Sequence, residues 1–383
     1  MNGNLDPRTV RLSENFLLSD FMGCHSVYTE GYSNVFGRVA GMDSRLEHGR
    51  ALCNYILEPL IETWGPISIS YGFISPALSR AIVTYQDPDL PSYHRWDSGA
   101  AADILIHDIC GRDDDDLATS PVQAAHGIDR DMRLPYSRMI TYSESPYICI
   151  AANYEELGSI KDGTHRPRRA FYENRYEGKP GKKPKFINMR SQRAKDEQYL
   201  QSIAMEPHGE FLWRGAGYPT YHGGGRKQAQ HRRVSRYTML SDWLFDNESV
   251  AQGRANYPFV NKAELQCVED SFLAAGMVYD KLLAETCSSR FSIIQGYRHE
   301  TKSKNIFKWR GERIGFTLRA PSGLYGDGMF DGYRYSAIES FLPGVEVEET
   351  DIGHLFSFEV RDVINSKEWE AYRTIHARGG VLG

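Results

Sequence analysis

The sequence predicts an α+β fold, a small antiparallel sheet with flanking helices, laid down twice along the chain. Three observations lead there. Short alternating apolar runs stand beside a long amphipathic segment, the same order of landmarks returns more than 200 residues later, and a basic Gly/Pro-rich stretch separates two acidic blocks. The chain has 383 residues, enough for two or three domains of ordinary size. Its 41% hydrophobic and 25% charged residues are the balance of a globular protein.

In the first block, about 12–154, Leu18-Ser19-Asp20-Phe21 predicts a short helix capped by Ser19. From Ser44 to Trp64 the apolar residues Leu46, Ala51, Leu52, Tyr55, Ile56, Leu60 and Ile61 fall near helical spacing, and Gly65-Pro66 stops the helix. Ile67 to Tyr71 alternates as a strand, and Ala101 to Ile106 and Met139 to Ile150 offer further strands.

The middle, about 155–236, has a different composition. From Lys161 to Arg236 it carries 18 Lys and Arg against 7 Asp and Glu, a net of +11, leaving −16 on the remainder. Its Gly, Pro and like charges predict a linker or extended loops. A short helix is expected over Arg190 to Ile203, and Gly223-Gly224-Gly225 reads as a hinge. Scattered aromatic residues, among them Phe171, Tyr172 and Phe186, place parts of the segment on a domain surface. Basic residues interleaved with aromatics also suit a polyanion or nucleic acid.

The final block, 237–383, repeats the first in outline. Leu240-Ser241-Asp242-Trp243 answers Leu18 to Phe21, a helix over Glu264 to Thr286 answers Ser44 to Trp64, and Phe291 to Arg298 answers Ile67 to Phe73. Trp309, with Gly315-Phe316-Thr317 behind it, answers Trp96 to Asp103. The offsets are 222, 224 and 213 residues, near enough to constant to suggest duplication.

No run of about 18 apolar residues exists, so no membrane span is expected. The opening MNGNLDPRTVRLSEN lacks the apolar core of a secretory leader, and a cytoplasmic or virion-associated protein is expected. Six scattered cysteines without a C-x-x-C pair predict buried free thiols.

The residues with most chemical content are Ser92-Tyr93-His94-Arg95-Trp96-Asp97-Ser98-Gly99-Ala100-Ala101-Ala102-Asp103. A histidine and an aspartate joined through small residues can bring imidazole and carboxylate to one metal, and a catalytic zinc needs three protein ligands and an open position. In the order helix, strand, Tyr71-Gly72-Phe73-Ile74-Ser75-Pro76, S-x-H, G-x-A-x-D and a later strand, the first block resembles the zinc D-Ala-D-Ala carboxypeptidase family. That family includes murein peptidases and phage endolysins. The resemblance covers about 12–153 and, more faintly, 237–362.

The resemblance implies metal ligands at His94, Asp103 and Cys149, with Glu144 as the catalytic general base. It implies substrate contacts from Ser92, Tyr71 and, from the second copy, Arg298, and a murein or other peptide as substrate. Departures accompany it. Two extra residues stand between His94 and Gly99, Cys149 replaces a histidine ligand, Tyr147 replaces a tryptophan, and Ile74 stands where the family has an arginine. A thiolate remains a competent zinc ligand but makes a bound water less acidic. Two readings therefore stay open beside that of a zinc peptidase or amidase. One is a non-catalytic structural or binding protein on the same fold, and the other is polyanion binding through 161–236. In the second copy His354 reads as a surface or capping histidine. In the first, His107-Asp108 follows the strand and reads as a loop pair, an alternative ligand being the other reading.

Overall fold

The structure is a computed structural model that describes residues 5–37, 42–82, 93–107, 121–132, 134–142, 145–153, 170–175, 185–188, 234–256, 262–286, 290–297, 315–320, 344–360, 363, 367 and 369–371. The chain forms two compact units, Arg38–Ala229 and a second that joins Met1–Gly37 to Gln230–Gly383. The first 37 residues thus pack with the C-terminal third, whereas the sequence reading set the first block at 12–154. The N-terminal segment holds a 3-10 turn, Leu18–Phe21, and helix α1 (His25–Glu30). Ser19 lies inside that turn and does not cap it. Asp20 does so instead, its Oδ2 accepting from Leu17 N–H at 2.8 Å.

In the Arg38–Ala229 unit the predicted long helix runs as α2 (Met42–Leu52), a π-type turn at Cys53–Leu57, and α3 (Glu58–Trp64). Gly65 ends it at φ 81°, a left-handed backbone that glycine adopts at little cost. Strand β1 (Ile67–Tyr71) follows, then α4 (Pro76–Ile82), β2 (Ala100–Ile106), α5 (Pro121–Gly127), β3 (Arg138–Tyr142) and β4 (Ser145–Ala152). The expected run from Met139 to Ile150 is therefore an antiparallel hairpin of two strands. The middle segment adds β5 (Ala170–Arg175) and β6 (Lys185–Asn188), which corrects its reading as a linker over those residues. The sheet order is β1-β2-β4-β3-β5-β6, antiparallel except where β5 joins β3 in parallel.

Strand alternation gives this sheet two faces. Ala102, Ile104, Ile148, Ile150 and Met139 lie on one and are fully buried, while α2 and α5 pack against the sheet. The other face carries a smaller cluster of Ala101, Ile140, Cys149 and Ala151 with Tyr93 packed on it.

The other unit adds a 3-10 turn at Leu240–Leu244, α6 (Asn247–Gln252), α7 (Lys262–Thr286), β7 (Ser292–Gln295), β8 (Gly315–Ala320), β9 (Val345–Thr350) and β10 (Gly353–Glu359). Its antiparallel order β7-β8-β10-β9 repeats β1-β2-β4-β3, down to a bulge at the same place, Ile69/Tyr71 in one and Ile293/Gln295 in the other. The segments ahead of the helices also correspond. Asp242 Oδ2 accepts from Met239 N–H as Asp20 does from Leu17, and Gly31 and Gly253 end α1 and α6 in left-handed conformation. Asn34 and Asn256 each donate a side-chain N–H to a backbone carbonyl 12 residues upstream at 2.7 Å. The two segments exchange backbone bonds, Asn34 N–H to Val250 O and Asn256 N–H to Tyr28 O.

A buried ion pair, Arg290 to Asp20 at 3.1 Å, fastens the N-terminal segment beside β7, and Arg290 also lies 4.7 Å over the Phe16 ring. His354 lies within β10, 9% exposed, rather than at a cap or the open surface. The described cysteines Cys24, Cys53 and Cys149 are buried free thiols. No described helix is long and apolar enough to cross a membrane.

Candidate metal centre

Asp103 occupies the one partly exposed position in an otherwise buried β2, and Cys149 of β4 lies directly opposite it in the strand register. The two side chains therefore leave the same face of the sheet side by side. His94 comes from a 3-10 turn, Tyr93–Arg95, that the chain folds back over this face. Its Nε2 lies 3.8 Å from Asp103 Oδ1 and 3.8 Å from Cys149 Sγ, and the three ligand atoms all fall within 4.8 Å of one another. This group can hold a metal ion.

The imidazole is prepared for that role. Its Nδ1–H donates to the Gly72 carbonyl at 2.9 Å, which leaves the Nε2 lone pair facing Asp103 and Cys149. Burial pushes its pKa below the ordinary value, against the pull of Asp103 and the Gly72 carbonyl and with a smaller push from Arg138, so the neutral, ligating form is favoured. Burial pushes the Asp103 carboxyl above its ordinary value, opposed by His94, a Cys149 hydrogen bond and Arg138. The side chains of His94 and Asp103 are 15% and 19% exposed, so the site is enclosed but open on one side.

Asp103 Oδ1 is buried and, among the described residues, accepts no hydrogen bond. An orphaned carboxylate oxygen is costly in a folded protein, and a cation removes the cost. Tetrahedral zinc with N, O and S ligands needs ligand atoms about 3.3–3.6 Å apart. The two separations from His94, 3.8 Å each, are a few tenths of an ångström from that, and all three atoms lie within 4.8 Å of one another. The donor set can hold a metal ion.

The loop carrying His94 is clamped from behind. Ile74 N–H donates to the His94 carbonyl at 2.8 Å, and Tyr71 meets the imidazole edge-on at 4.7 Å between centroids. Two residues on, Trp96 is fully buried with φ 58°, a left-handed conformation that is strained for a bulky residue. Its carbonyl lies 2.6 Å from His48 Nδ1, its ring meets Phe73 edge-on, and Arg45 binds Asp97 with Nε and Nη2. Gly49 leaves the indole its space, since a Cβ there would overlap the ring. Gly99 likewise admits Tyr93 and the Ala152 carbonyl.

The structure brings together four of the residues singled out in the sequence, His94, Asp103, Cys149 and Tyr71. Ser92, Glu144, Arg298 and Asp108 lie outside the described residues, as do 190–203 and 223–227. His107 lies in the turn just past β2, and it is buried there, with Nε2 2.7 Å from Ser68 Oγ. Sequence reasoning missed Arg138, whose guanidinium lies 4.9 Å over the Tyr93 ring. An arginine at the head of an apolar run resembles an ordinary solvated strand end, so the sequence held no signal for it.

The register also locates the corresponding positions in the second sheet. Gln295, Thr317 and Ser357 stand where Tyr71, Asp103 and Cys149 stand in the first. They form a neutral cluster, with Thr317 Oγ1 3.0 Å from Ser357 Oγ and donating to Gln295 Oε1 at 3.4 Å. Hydroxyls and an amide without a charged donor are poor ligands for a transition metal.

Comparison of the chain with protein families, with characterised proteins and with solved structures finds no match.

Proposed function

We propose that this protein binds one zinc ion at His94, Asp103 and Cys149, on a scaffold of the zinc D-Ala-D-Ala carboxypeptidase type present as two diverged copies. The observation that carries the reading is the convergence of an imidazole nitrogen, a carboxylate oxygen and a sulfur within 4.8 Å, from three separated parts of the sequence. Bound zinc would supply Lewis acidity toward a carbonyl and lower the pKa of a coordinated water. The chain's own contribution is to hold the neutral His94 tautomer through Gly72, to present Asp103 and Cys149 from adjacent strands, and to wall the pocket with Tyr71 and Tyr93. A peptide or amide bond, as in murein, is the substrate class this arrangement suits. Glu144 is the proposed general base, and Ser92 a proposed substrate contact. The repeated strand order, the shared bulge and the matching asparagine and glycine positions support the duplication.

Equilibrium dialysis with zinc followed by elemental analysis tests the reading. One zinc per chain is expected, lost in His94→Ala and Cys149→Ser. A chain that takes up no zinc, or whose zinc survives both substitutions, overturns it.

A second reading, a binding or structural protein on the same fold, is favoured for the other unit by its neutral Gln295, Thr317 and Ser357 cluster. Ile74, in place of the family's arginine, extends that reading to the metal-bearing unit. Hydrolysis of murein peptides by the zinc-loaded chain decides between them.

A further inference from the structure

Arg138 opens strand β3 opposite Ala151 of β4, and Ile140, two residues along the same face, lies opposite Cys149. Its side chain therefore leaves the sheet beside the metal centre. The guanidinium rests 4.9 Å over the Tyr93 ring, which itself packs on Ala101, Ile140, Cys149 and Ala151. A guanidinium stacked this way keeps its edge free for ligands. Among the described residues its buried Nε has no hydrogen-bond partner, and no described carboxylate forms an ion pair with Arg138. The positive charge nonetheless reaches the site, since it lowers the proton affinity of both His94 and Asp103.

The charge inventory gives this cation its purpose. A divalent ion, the Asp103 carboxylate and a Cys149 thiolate cancel, and His94 is neutral. Arg138 leaves the pocket with one uncompensated positive charge, which a monoanionic ligand would balance. Ile74, at the place where the resembled family has an arginine, leaves no cation there.

We propose that Arg138 forms an anion-binding subsite beside the metal centre, and that the ligand taken there carries a free carboxylate. Guanidinium and carboxylate match as a planar fork, two N–H groups to two oxygens. A chain-terminal carboxylate held on Arg138 would place the preceding carbonyl toward His94, Asp103 and Cys149. The metal half of this picture rests on the zinc reading, while the carboxylate preference rests on Arg138 alone.

The test compares N-acetylglycine with N-acetylglycinamide by calorimetry on the full chain, both zinc-loaded and treated with chelator. The carboxylate is expected to bind at least about tenfold tighter than the amide, the scale of one charge-assisted pair. Arg138→Gln should erase the preference with zinc stoichiometry unchanged, and Arg138→Lys should restore part of it. Tyr93→Leu removes the ring beneath the guanidinium and keeps the charge, so it should weaken the preference by a smaller factor. Equal binding of the two probes, or a preference that survives Arg138→Gln, overturns the proposal. If the chain takes up no zinc the metal reading falls, and the same comparison on the metal-free chain still judges Arg138.

Discussion

Gly49→Ala separates the role of the Trp96 clamp from ordinary helix propensity. In an unobstructed helix the exchange stabilises by about 0.5–1 kcal/mol, because glycine surrenders more backbone freedom on folding. Here the new methyl carbon would stand 2.7 Å and 2.9 Å from the Cη2 and Cε3 atoms of Trp96, closer than van der Waals contact permits. Trp96 has little room to yield, being fully buried, at φ 58°, bound through its carbonyl to His48 and packed on Phe73. Overpacking of this kind costs about 1–3 kcal/mol. Set against the propensity gain, the expected net loss is about 0–2.5 kcal/mol, from the difference of those two ranges. The same displacement reaches His94 two residues upstream, so zinc affinity should fall by about tenfold or more, the scale found when support behind a ligand is disturbed. Gly315→Ala, in strand β8, serves as an unobstructed comparison, since among the described residues a Cβ there meets Phe358 O at an ordinary 3.7 Å. Urea unfolding and competitive zinc titration provide the two readouts. A Gly49→Ala chain as stable as the parent, with zinc affinity intact, would refute the argument that this clamp positions the histidine.

Three other outcomes are expected. Zinc affinity should fall as pH falls from about 8 to 5, because protons compete for Asp103, Cys149 and, below its depressed pKa, His94. In the metal-free chain the two shifts oppose: a depressed His94 loses stability as pH falls below its ordinary 6.5, while a raised Asp103 gains it as the carboxyl takes up its proton. Titrations with and without zinc should thus show a steep and a shallow pH dependence respectively, and equal slopes would contradict the assignment. Arg290→Met should cost about 3–5 kcal/mol by stranding a buried Asp20 carboxylate, with Asp20→Asn added to it recovering part, as urea unfolding would show. Asn256→Ala should cost about 1–3 kcal/mol in the same assay, since Asn256 Nδ2 donates to both Leu244 O and Tyr297 O and the loss leaves these buried carbonyls short of a donor.

Much of the fold could be read from the sequence because single residues carry it. Gly65-Pro66 stops a helix wherever it stands, and Ile67-Ser68-Ile69-Ser70-Tyr71 alternates in residue type, which marks the strand β1 although Ser68 is buried along with Ile67 and Ile69. His94, Asp103 and Cys149 came together through the resemblance to the zinc carboxypeptidase family, since periodicity alone does not set the register that puts Asp103 opposite Cys149. Other features depended on tertiary partners. Ser19 looked like a cap, but Asp20 fills that role through a backbone bond that spacing alone does not assign. Parallel pairing of β5 with β3 joins residues some thirty positions apart, and the Gly/Pro-rich composition around β5 gave no hint of it. His354 reads in the sequence as a surface or capping histidine, yet its position in β10 shares the buried face of Phe356 and Phe358. Arg138 depended on Tyr93, a contact between two elements that sequence order keeps apart.

The bonds that join Asn34 to Val250 and Asn256 to Tyr28 have a consequence for biosynthesis. The first 37 residues leave the ribosome early, yet the groups that receive them, through Arg290 and Ser292, are made some 250 residues later. Until then Phe16, Leu17, Leu18 and Phe21, all fully buried at the end, must wait in solution or in the care of a chaperone.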